Sequence, residues 1–421
     1  MTGSASRAAG SRSLLVAGAG IPGLTLALAL KQANGPAIDI TVCDPGLPAG
    51  AARHRGRAYA VAAGPRRMFE RLQLWERIAP AAQAITDMAI TDSRLADPVR
   101  PIFLTFAQGG EPASDGEPFA HMVEAEPLVE ALLAAAHEAG IGFEATGIAA
   151  AMPERSRIRA TLSDGRELAA SLVVAADGAR SRLREAAGIG WVGWSYPQSG
   201  IVATIAHERA HEGRAYEHFL PSGPFATLPL PDRDGQHRSS IVWTERQADV
   251  TALLGGEPED MLAEIERRFG LKLGRLSLED GPSAHPLSFG IARAFRGDRL
   301  ALLGDAAHVI HPVAGQGLNL GLAGAAALAE AVTAALRLGT DPGAPDVLRA
   351  YERARRFDTL TMAAATDGLN RLFSNDALPV RLARDFGLGF VERMPGLKRF
   401  FIGEASALRG SQPRLLRGEA L

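Results

Sequence analysis

A glycine-rich turn near the start of the chain, between two apolar segments, constrains the fold more than any other feature. Residues 13–17 are predicted to form a short buried strand, and residues 18–23 follow with the spacing GxGxxG at the start of a predicted helix. A second predicted strand at 38–43 leads into Asp44, 21 positions after the last glycine of the turn. Strand, glycine turn, helix, strand and a correctly spaced acid together predict a βαβ unit that binds a dinucleotide.

The glycines and the acid of this unit have separate roles. Gly18 allows the tight turn, Gly20 lets the backbone approach a pyrophosphate, and Gly23 lets helix and strand pack closely. Asp44 would hold the hydroxyls of the adenosine ribose. The pattern does not distinguish FAD from NAD.

A second strand-loop-helix segment covers residues 299–322. An apolar run at 300–303 is followed by Gly304 and Asp305, then by a loop rich in proline and glycine and a long helix to about residue 336. A carboxylate at a strand end can accept hydrogen bonds from a polyol chain, and a glycine-rich helix start stabilises negative charge. Both features suit a reduced flavin, and an ordinary strand-loop-helix unit is the alternative.

A further acidic turn, Asp177 and Gly178, follows the predicted strand 172–176 and precedes a helix start at Ser181. A plain N-cap turn would account for it. A second acid at the mouth of the same predicted sheet favours a role in ligand binding.

Composition excludes several classes of protein. The 421 residues are 47% hydrophobic and 22% charged, which is typical of a globular chain, and the net charge of −2 gives no reason to expect nucleic acid as a partner. Cys43 is the single cysteine, so neither an intrachain disulfide nor a cysteine-based metal site is expected. The apolar stretch 14–30 is interrupted by glycines and a proline, which argues against a membrane span.

The sequence pattern changes between residues 191 and 287. Strand-like runs separated by Pro and Gly dominate, with one helical insert at 257–269, and they predict an antiparallel sheet inserted into the dinucleotide-binding domain. Before it, residues 45–64 are predicted to be a loop and residues 65–78 a helix. A domain split by another domain places a cleft between the two.

The chain contains three separated motifs: GAGIPG at 18–23, ADGARS at 176–181 and GDAAHVIHPVAGQGLN at 304–319. These motifs resemble those of flavoprotein aromatic hydroxylases with the p-hydroxybenzoate hydroxylase fold. Further stretches are similar to the ubiquinone-biosynthesis branch of these enzymes, at 56–75, 219–232, 239–245, 285–308 and 394–418.

The resemblance implies FAD as cofactor, with NAD(P)H or a protein electron donor as reductant. It also implies a flavin C4a-hydroperoxide that transfers oxygen to a polyprenyl phenol in ubiquinone biosynthesis. The cofactor-binding residues that it implies are Gly18, Gly20, Ile21, Pro22, Gly23 and Asp44 for the ADP half, Arg57 facing the cofactor, Asp177 for FAD and nicotinamide, Gly304 and Asp305 for the ribityl chain, and Pro312, Gly315, Gln316, Gly317, Leu318 and Asn319 for the flavin ring.

The expected fold is mixed α/β: a Rossmann-like FAD-binding domain, an inserted antiparallel β-sheet domain for the substrate, and a C-terminal helical tail. The expected boundaries are a disordered N-terminus at 1–12, the FAD-binding domain at 13–80, 107–184 and 288–370, the substrate domain at 81–106 and 185–287, and the tail at 371–421. The strand at 225–230 would form a roof over the substrate.

No acid or base is assigned to catalysis. His311 could assist a phenol proton, although a structural loop histidine is the alternative, and no metal is expected at His308 and His311 because no acidic or cysteine ligands accompany them. Ala323 and Gly324 stand where the family often has Arg and Asp, so a non-catalytic flavoprotein scaffold remains an alternative. Another flavin oxidoreductase of the same fold, acting on a different aromatic substrate, is a second alternative, and an NAD-dependent dehydrogenase a third.

The tail combines large apolar side chains with basic ones. Leu382, Phe386 and Phe390 recur every four residues among arginines and lysines, as on a helix that lies at a membrane surface. The expected location is therefore the cytoplasm or the inner face of the cell membrane. Packing on the FAD-binding domain, or binding to other ubiquinone-biosynthesis proteins, is the alternative for residues 376–402.

Overall fold

The computed structural model of the chain describes residues 12–92, 102–107, 117–118, 120–312, 315–374 and 412–421. Within these ranges the chain forms twenty β-strands and nine α-helices. The strands are β1 (Arg12–Ala17), β2 (Ile38–Cys43), β3 (Ala58–Ala62), β4 (Ala82–Ile85), β5 (Asp87–Asp92), β6 (Ile102–Ala107), β7 (Ala120–Glu124), β8 (Gly142–Glu144), β9 (Ile148–Pro153), β10 (Ile158–Leu162), β11 (Glu167–Ala170), β12 (Leu172–Ala175), β13 (Trp191–His207), β14 (Arg214–Leu220), β15 (Gly223–Arg233), β16 (Gln236–Arg246), β17 (Leu276–Ala292), β18 (Arg296–Gly297), β19 (Leu300–Leu302) and β20 (His308–Val309). The helices are α1 (Ile21–Asn34), α2 (Ala63–Arg71), α3 (Trp75–Ile78), α4 (Ala125–Glu138), α5 (Arg182–Ala186), α6 (Gln247–Leu254), α7 (Pro258–Phe269), α8 (Gln316–Arg337) and α9 (Pro345–Phe373). The predicted mixed α/β class is confirmed.

The first large sheet has the strand order β18-β19-β12-β1-β2-β8. The five strands from β19 to β8 are parallel, and β18 is antiparallel at one edge. Strands buried on both faces need continuous apolar sequence, and β12 and β19 are buried at every position. Helices α1 and α8 pack against each other, and their apolar residues join those of the sheet in one core.

The second large sheet has the order β20-β17-β13-β16-β15-β14-β5-β6. Strands β13 and β17 are each 17 residues long and pair antiparallel from Trp191 to His207, with three register shifts. Two three-stranded sheets, β11-β10-β9 and β3-β7-β4, complete the strands. The sheet β3-β7-β4 lies next to the second large sheet, since β15 contacts both β4 and β7.

Two local predictions were wrong. The predicted helix at 65–78 is interrupted, because Gln73 has a φ of 58° between α2 and α3. The predicted loop at 45–64 contains β3, whose pairing partner β7 lies some sixty residues further along the chain. Helix α6 was not predicted either.

Helix α8 is long and apolar enough to cross a membrane by length and composition, and it is the one such helix in the described part of the chain. Most of it is buried inside the fold, between α1 and α9. Its apolar character is therefore accounted for by its place in the core.

The chain ends against the same core. Residues 412–421 contain one short 3₁₀ turn, Arg414–Arg417, which packs on α2 and α8 and buries Leu415 and Leu416. The N–H of Arg414 donates to Glu330 of α8 at 3.0 Å. The predicted disorder at 1–12 falls on undescribed residues apart from Arg12, which begins β1, and the predicted tail helices at 376–402 also lie outside the described residues.

Candidate functional site

The glycine turn after β1 has two glycines fixed by packing and one that faces open space. Gly18 has a φ of +114°, and a Cβ added there would overlap the carbonyl oxygen of Ala176. A Cβ on Gly23 would overlap the carbonyl oxygen of Gly18, whereas a Cβ on Gly20 would have no atom within 4 Å. Helix α1 begins at Ile21 with no side-chain cap. Its first N–H groups and the space beside Gly20 fit the pyrophosphate of a dinucleotide.

Asp44 lies directly after β2, and its carboxylate already accepts several hydrogen bonds within the protein. Its carboxylate accepts hydrogen bonds from the N–H of Ala19 at 2.7 Å and of Gly46 at 2.6 Å, and from the guanidinium of Arg53 at 3.0 and 3.1 Å. Burial alone would raise the pKa of Asp44, but these bonds outweigh it and lower the pKa. A ribose hydroxyl that binds Asp44 would therefore have to share the carboxylate with Arg53 or displace it.

Asp177 and Asp305 follow β12 and β19, which are adjacent parallel strands, so both acids lie at one edge of the sheet. Solvent reaches both side chains, yet protein surrounds them, as in a cleft. Burial raises the pKa of both acids. Hydrogen bonds from Ser181 and the following backbone partly offset this effect at Asp177, whereas Asp305 forms no hydrogen bond with another described residue. A carboxylate without a donor in a cleft fits a hydroxyl-bearing chain such as ribityl.

Arg184 holds the two acidic turns together, and the sequence reasoning missed it. The buried guanidinium donates to the carbonyl oxygen of Ala306 at 3.1 Å and lies 4.0 Å over the Trp191 ring. Pro22 makes a similar link, because it lies against Gly304 and Gly321 and so joins the first turn to α8. The three motifs identified in the sequence therefore meet at one place.

The start of α8 forms the next part of the site. Gly315 lies before the helix with a φ of +63°, and no side chain caps the helix. The Asn319 side chain accepts from the N–H of Ala62 and donates to the carbonyl oxygen of Ala60, both at 3.0 Å. Asn319 thus fixes α8 to β3, while a Cβ on Gly317 would have no atom within 4 Å. Open space at an uncapped helix start fits the flavin ring predicted there.

A cavity of about 390 Å³ lies at this helix start. The second large sheet lines it on one side, β3, β4 and β7 on another, and Pro312 with residues 315–319 on a third. Ala226 and Leu228 of β15 are part of the lining, as expected for a roof strand. Most lining side chains are apolar, including Ile85, Met122, Val202, Val242 and Ile310.

Four titratable side chains line this cavity among the described residues: Arg57, Tyr59, Glu217 and His285. Burial raises the pKa of Tyr59, and burial followed by the charge of Arg57 lowers that of His285. Glu217 was not predicted. The sequence did contain one indication of this residue. Ala215, Glu217 and Phe219 alternate along one face of β14, and Glu217 is an acid between two apolar residues of that face.

His311 does not line the cavity. Its ring is fully buried, edge-on to Tyr196 at 5.2 Å, and neither ring nitrogen has a hydrogen-bond partner among the described residues. Burial lowers its pKa to about 4, and that of the buried His308 likewise. The described residues contain no group of three or more side chains that could hold a metal ion.

Ala323 and Gly324, where the sequence departs from the family pattern, lie on the buried part of α8 and not in the cavity lining. A Cβ on Gly324 would come within 3.1 Å of the Leu303 side chain and 3.6 Å of the Tyr351 hydroxyl. That hydroxyl donates to the carbonyl oxygen of Leu302 at 2.7 Å. In this chain the position is therefore used for close packing against Leu303 and α9.

Comparisons with known proteins agree with this geometry. The model of the FAD binding domain family matches residues 12–364. The ubiquinone hydroxylase UbiL of Rhodospirillum rubrum is 44% identical over 100% of this chain and 95% of its own length. The chain belongs to the FAD-dependent hydroxylases of the ubiquinone-biosynthesis family. The 3-demethoxyubiquinol 3-hydroxylase of Escherichia coli is 37% identical over 56% of this chain and 60% of its own length.

Among solved structures, p-nitrophenol 4-monooxygenase PnpA of Pseudomonas putida superposes with a TM-score of 0.76. The alignment covers 95% of this chain and 99% of that one at 20% identity, which shows a shared fold. The family members are FAD-dependent monooxygenases, so the chain is an enzyme that uses FAD. The open positions at Gly20 and Gly317 fit that cofactor, as does Asp305, which has no hydrogen-bond partner among the described residues.

Proposed function

We propose that this enzyme hydroxylates the ring of a polyprenyl phenol, a precursor of ubiquinone, with FAD, dioxygen and NAD(P)H or a protein electron donor. The main support for this proposal is the largely apolar cavity at the uncapped start of α8. A few titratable side chains also line this cavity. Such a cavity suits an aromatic ring that carries one hydroxyl and an apolar tail. The names of the relatives, which are hydroxylases of ubiquinone or its precursors, support the same class of substrate.

We propose the following places for FAD on this chain. The turn 18–23 with α1 would hold the pyrophosphate, Asp44 the ribose, and Asp177 and Asp305 the central part of the molecule. The ring would lie against residues 315–319, with Arg57 facing it. When bound and reduced, FAD supplies the electrons that activate dioxygen.

The protein's own contribution is placement, charge and exclusion of water. The N-terminal end of α8 stabilises negative charge on the ring that lies against it. The apolar walls keep water from the oxygen-transfer step. The flavin ring against residues 315–319 would share the cavity of about 390 Å³ with an aromatic head group, so a long isoprenoid tail would extend out of the cavity.

The test uses the purified FAD-loaded enzyme, NADH or NADPH, and a short-chain prenyl phenol under ¹⁸O₂. We expect oxidation of the reductant to depend on the phenol, and one ¹⁸O atom to appear on the product ring. A matched reaction uses the O-methyl ether of the same phenol, which should not be hydroxylated. Oxidation of the reductant with release of hydrogen peroxide and no labelled product would contradict the proposal.

We propose further that residues 376–402 hold the enzyme reversibly at a membrane surface, where a polyprenyl substrate resides. The support is the sequence pattern of apolar and basic residues. Flotation with anionic liposomes should separate the full-length protein from a variant that carries Phe400→Glu and Phe401→Glu. Equal flotation of the two proteins would instead assign the segment to packing or to other proteins of the pathway.

A further inference from the structure

Glu217 is the one acidic side chain in the lining of the cavity, among the described residues. It lies in a row of directly paired residues that crosses four strands: Glu217 pairs with Ala226, Ala226 with Val242, and Val242 with Val202. Paired residues of neighbouring strands project from the same face of a sheet. All four line the cavity, and the other three are apolar. The row therefore places one carboxyl group among side chains that make only apolar contacts.

This carboxyl group has no partner in the described structure. Glu217 is 5% exposed and forms no hydrogen bond or ion pair with another described residue. Burial is the single cause that raises its pKa, to about 7. Its neighbours across the two ladders, Ala226 and Ile90, do not titrate. A buried carboxyl group without a partner destabilises a fold, and an apolar residue would fill this position at lower cost.

The pKa of Glu217 is independent of the other titratable groups of the cavity. The charge of Arg57 acts on Tyr59 and His285 but contributes nothing to the pKa of Glu217. Arg57, Tyr59 and His285 are therefore linked electrostatically, and Glu217 is not part of that set. A phenol hydroxyl that reaches this point meets the Glu217 carboxyl group, the one acidic side chain in the lining among the described residues.

We infer that Glu217 is a catalytic base that receives the proton of the substrate's phenol hydroxyl during ring hydroxylation, which rests on the proposed function. The phenol O–H bond breaks and an O–H bond forms on the Glu217 carboxylate, while the electron pair stays on the phenol oxygen. That pair raises electron density at the ortho and para ring carbons, where oxygen is inserted. The proton returns to the product oxygen or passes to solvent, and no other bond to Glu217 changes.

The experiment compares the FAD-loaded wild type with Glu217→Gln, which keeps the shape and hydrogen-bonding capacity of the side chain but is a far weaker base. In the wild type, kcat/KM for the prenyl phenol should rise with pH and level off above about 7, because the unprotonated carboxylate is the active form. In Glu217→Gln, kcat should fall about 10²- to 10⁴-fold and the inflection near pH 7 should disappear. Phenol binding to the oxidised enzyme, read from the flavin absorbance change, should weaken less than tenfold.

Thr227→Val is the matched control, because Thr227 follows Ala226 on β15, is equally buried, and does not line the cavity. Its pH profile should equal that of the wild type. A wild-type rate and pH profile in Glu217→Gln would overturn the role of Glu217 and leave the hydroxylase function standing. A wild-type rate that falls as pH rises through 7 would also overturn it, since the active form would then be the acid. No labelled product from the wild type would overturn the proposed function, and the role of Glu217 with it.

Discussion

Replacement of Gly20 by valine should weaken FAD binding strongly and leave the folded apoprotein nearly unchanged. An added Cβ at this position meets no protein atom within 4 Å, and the backbone (φ −78°, ψ 170°) is extended, which any residue adopts. The new side chain would occupy the space where the pyrophosphate must approach the backbone. Gly18→Ala is the matched control, because its Cβ would overlap the carbonyl oxygen of Ala176 whether or not FAD is present.

The magnitudes follow from these positions. At the N-cap of α1, valine is a poorer cap than glycine by roughly 0.5–1 kcal/mol, and the loss of glycine's freedom in the unfolded chain offsets this by about 0.4–1 kcal/mol. With an unfolding entropy of about 2.1 cal/mol/K per residue over 421 residues, 1 kcal/mol changes Tm by about 1 °C. Gly20→Val should therefore change the apoprotein Tm by less than about 1 °C. Gly18→Ala combines backbone strain at a positive φ with steric overlap, and each destabilises the fold by about 1–3 kcal/mol. This substitution should therefore lower the apoprotein Tm by about 2–6 °C.

Each lost hydrogen bond from a backbone N–H to a phosphate oxygen reduces the binding free energy by about 1.5–3 kcal/mol. This corresponds to a loss of about 10- to 150-fold in FAD affinity. The assay is thermal unfolding with and without FAD, together with the ratio of flavin to protein absorbance. FAD at 100 times its wild-type Kd should raise the wild-type Tm by about 3 °C and that of Gly20→Val by only about 0.3–1.6 °C. A full FAD-induced shift in Gly20→Val would refute the assignment of this turn to the pyrophosphate.

Two further variants test the remaining parts of the site. Burial holds the pKa of Asp305 above its ordinary value, so ionisation destabilises the folded apoprotein as pH rises from the unfolded-state pKa through the folded-state pKa. Asp305→Asn should therefore raise the apoprotein Tm at pH 7 while lowering flavin content, and unchanged flavin content would contradict the ribityl contact. Arg57→Ala should lower turnover without changing Tm, whereas Arg55→Ala on the same loop, which loses only an exposed ion pair to Glu126, should change neither. Equal steady-state rates for the two arginine variants would make Arg57 an ordinary surface charge.

The sequence was sufficient for the parts of the site that depend on short segments. The turn at 18–23 and the acids Asp44, Asp177 and Asp305 each follow a strand that is recognisable by its apolar run, so their common sheet edge could be predicted. Glu217 could not be predicted in the same way. Its place in the cavity depends on the register of β14 with β15 and of β15 with β16. The acid in the alternating series of β14 marks an unusual position but does not show that a cavity lies beside it.

Strand β3 and Arg184 were missed for the same physical reason. Residues 58–62 pair with β7, far along the chain, and a short run such as AYAVA has no strong preference without that partner. Arg184 appears in the sequence as one of several arginines on a short helix, and its contact with Ala306 spans 122 residues. Long-range contacts decide these positions, whereas local sequence decides the glycine turns.

The strand order of the parallel sheet determines when that sheet can form during synthesis. Strand β12 is the neighbour of β19, and 124 residues lie between them in the chain. At about 5–20 residues per second, a ribosome needs roughly 6–25 s to add that stretch, during which one edge of β12 lacks its partner. Most strands of the second large sheet, β13 to β17, are synthesised in that interval, and the buried residues Leu415 and Leu416 are added later still. A nascent chain of this protein thus depends on protection of the open β12 edge from mispairing, and slower synthesis prolongs that exposure.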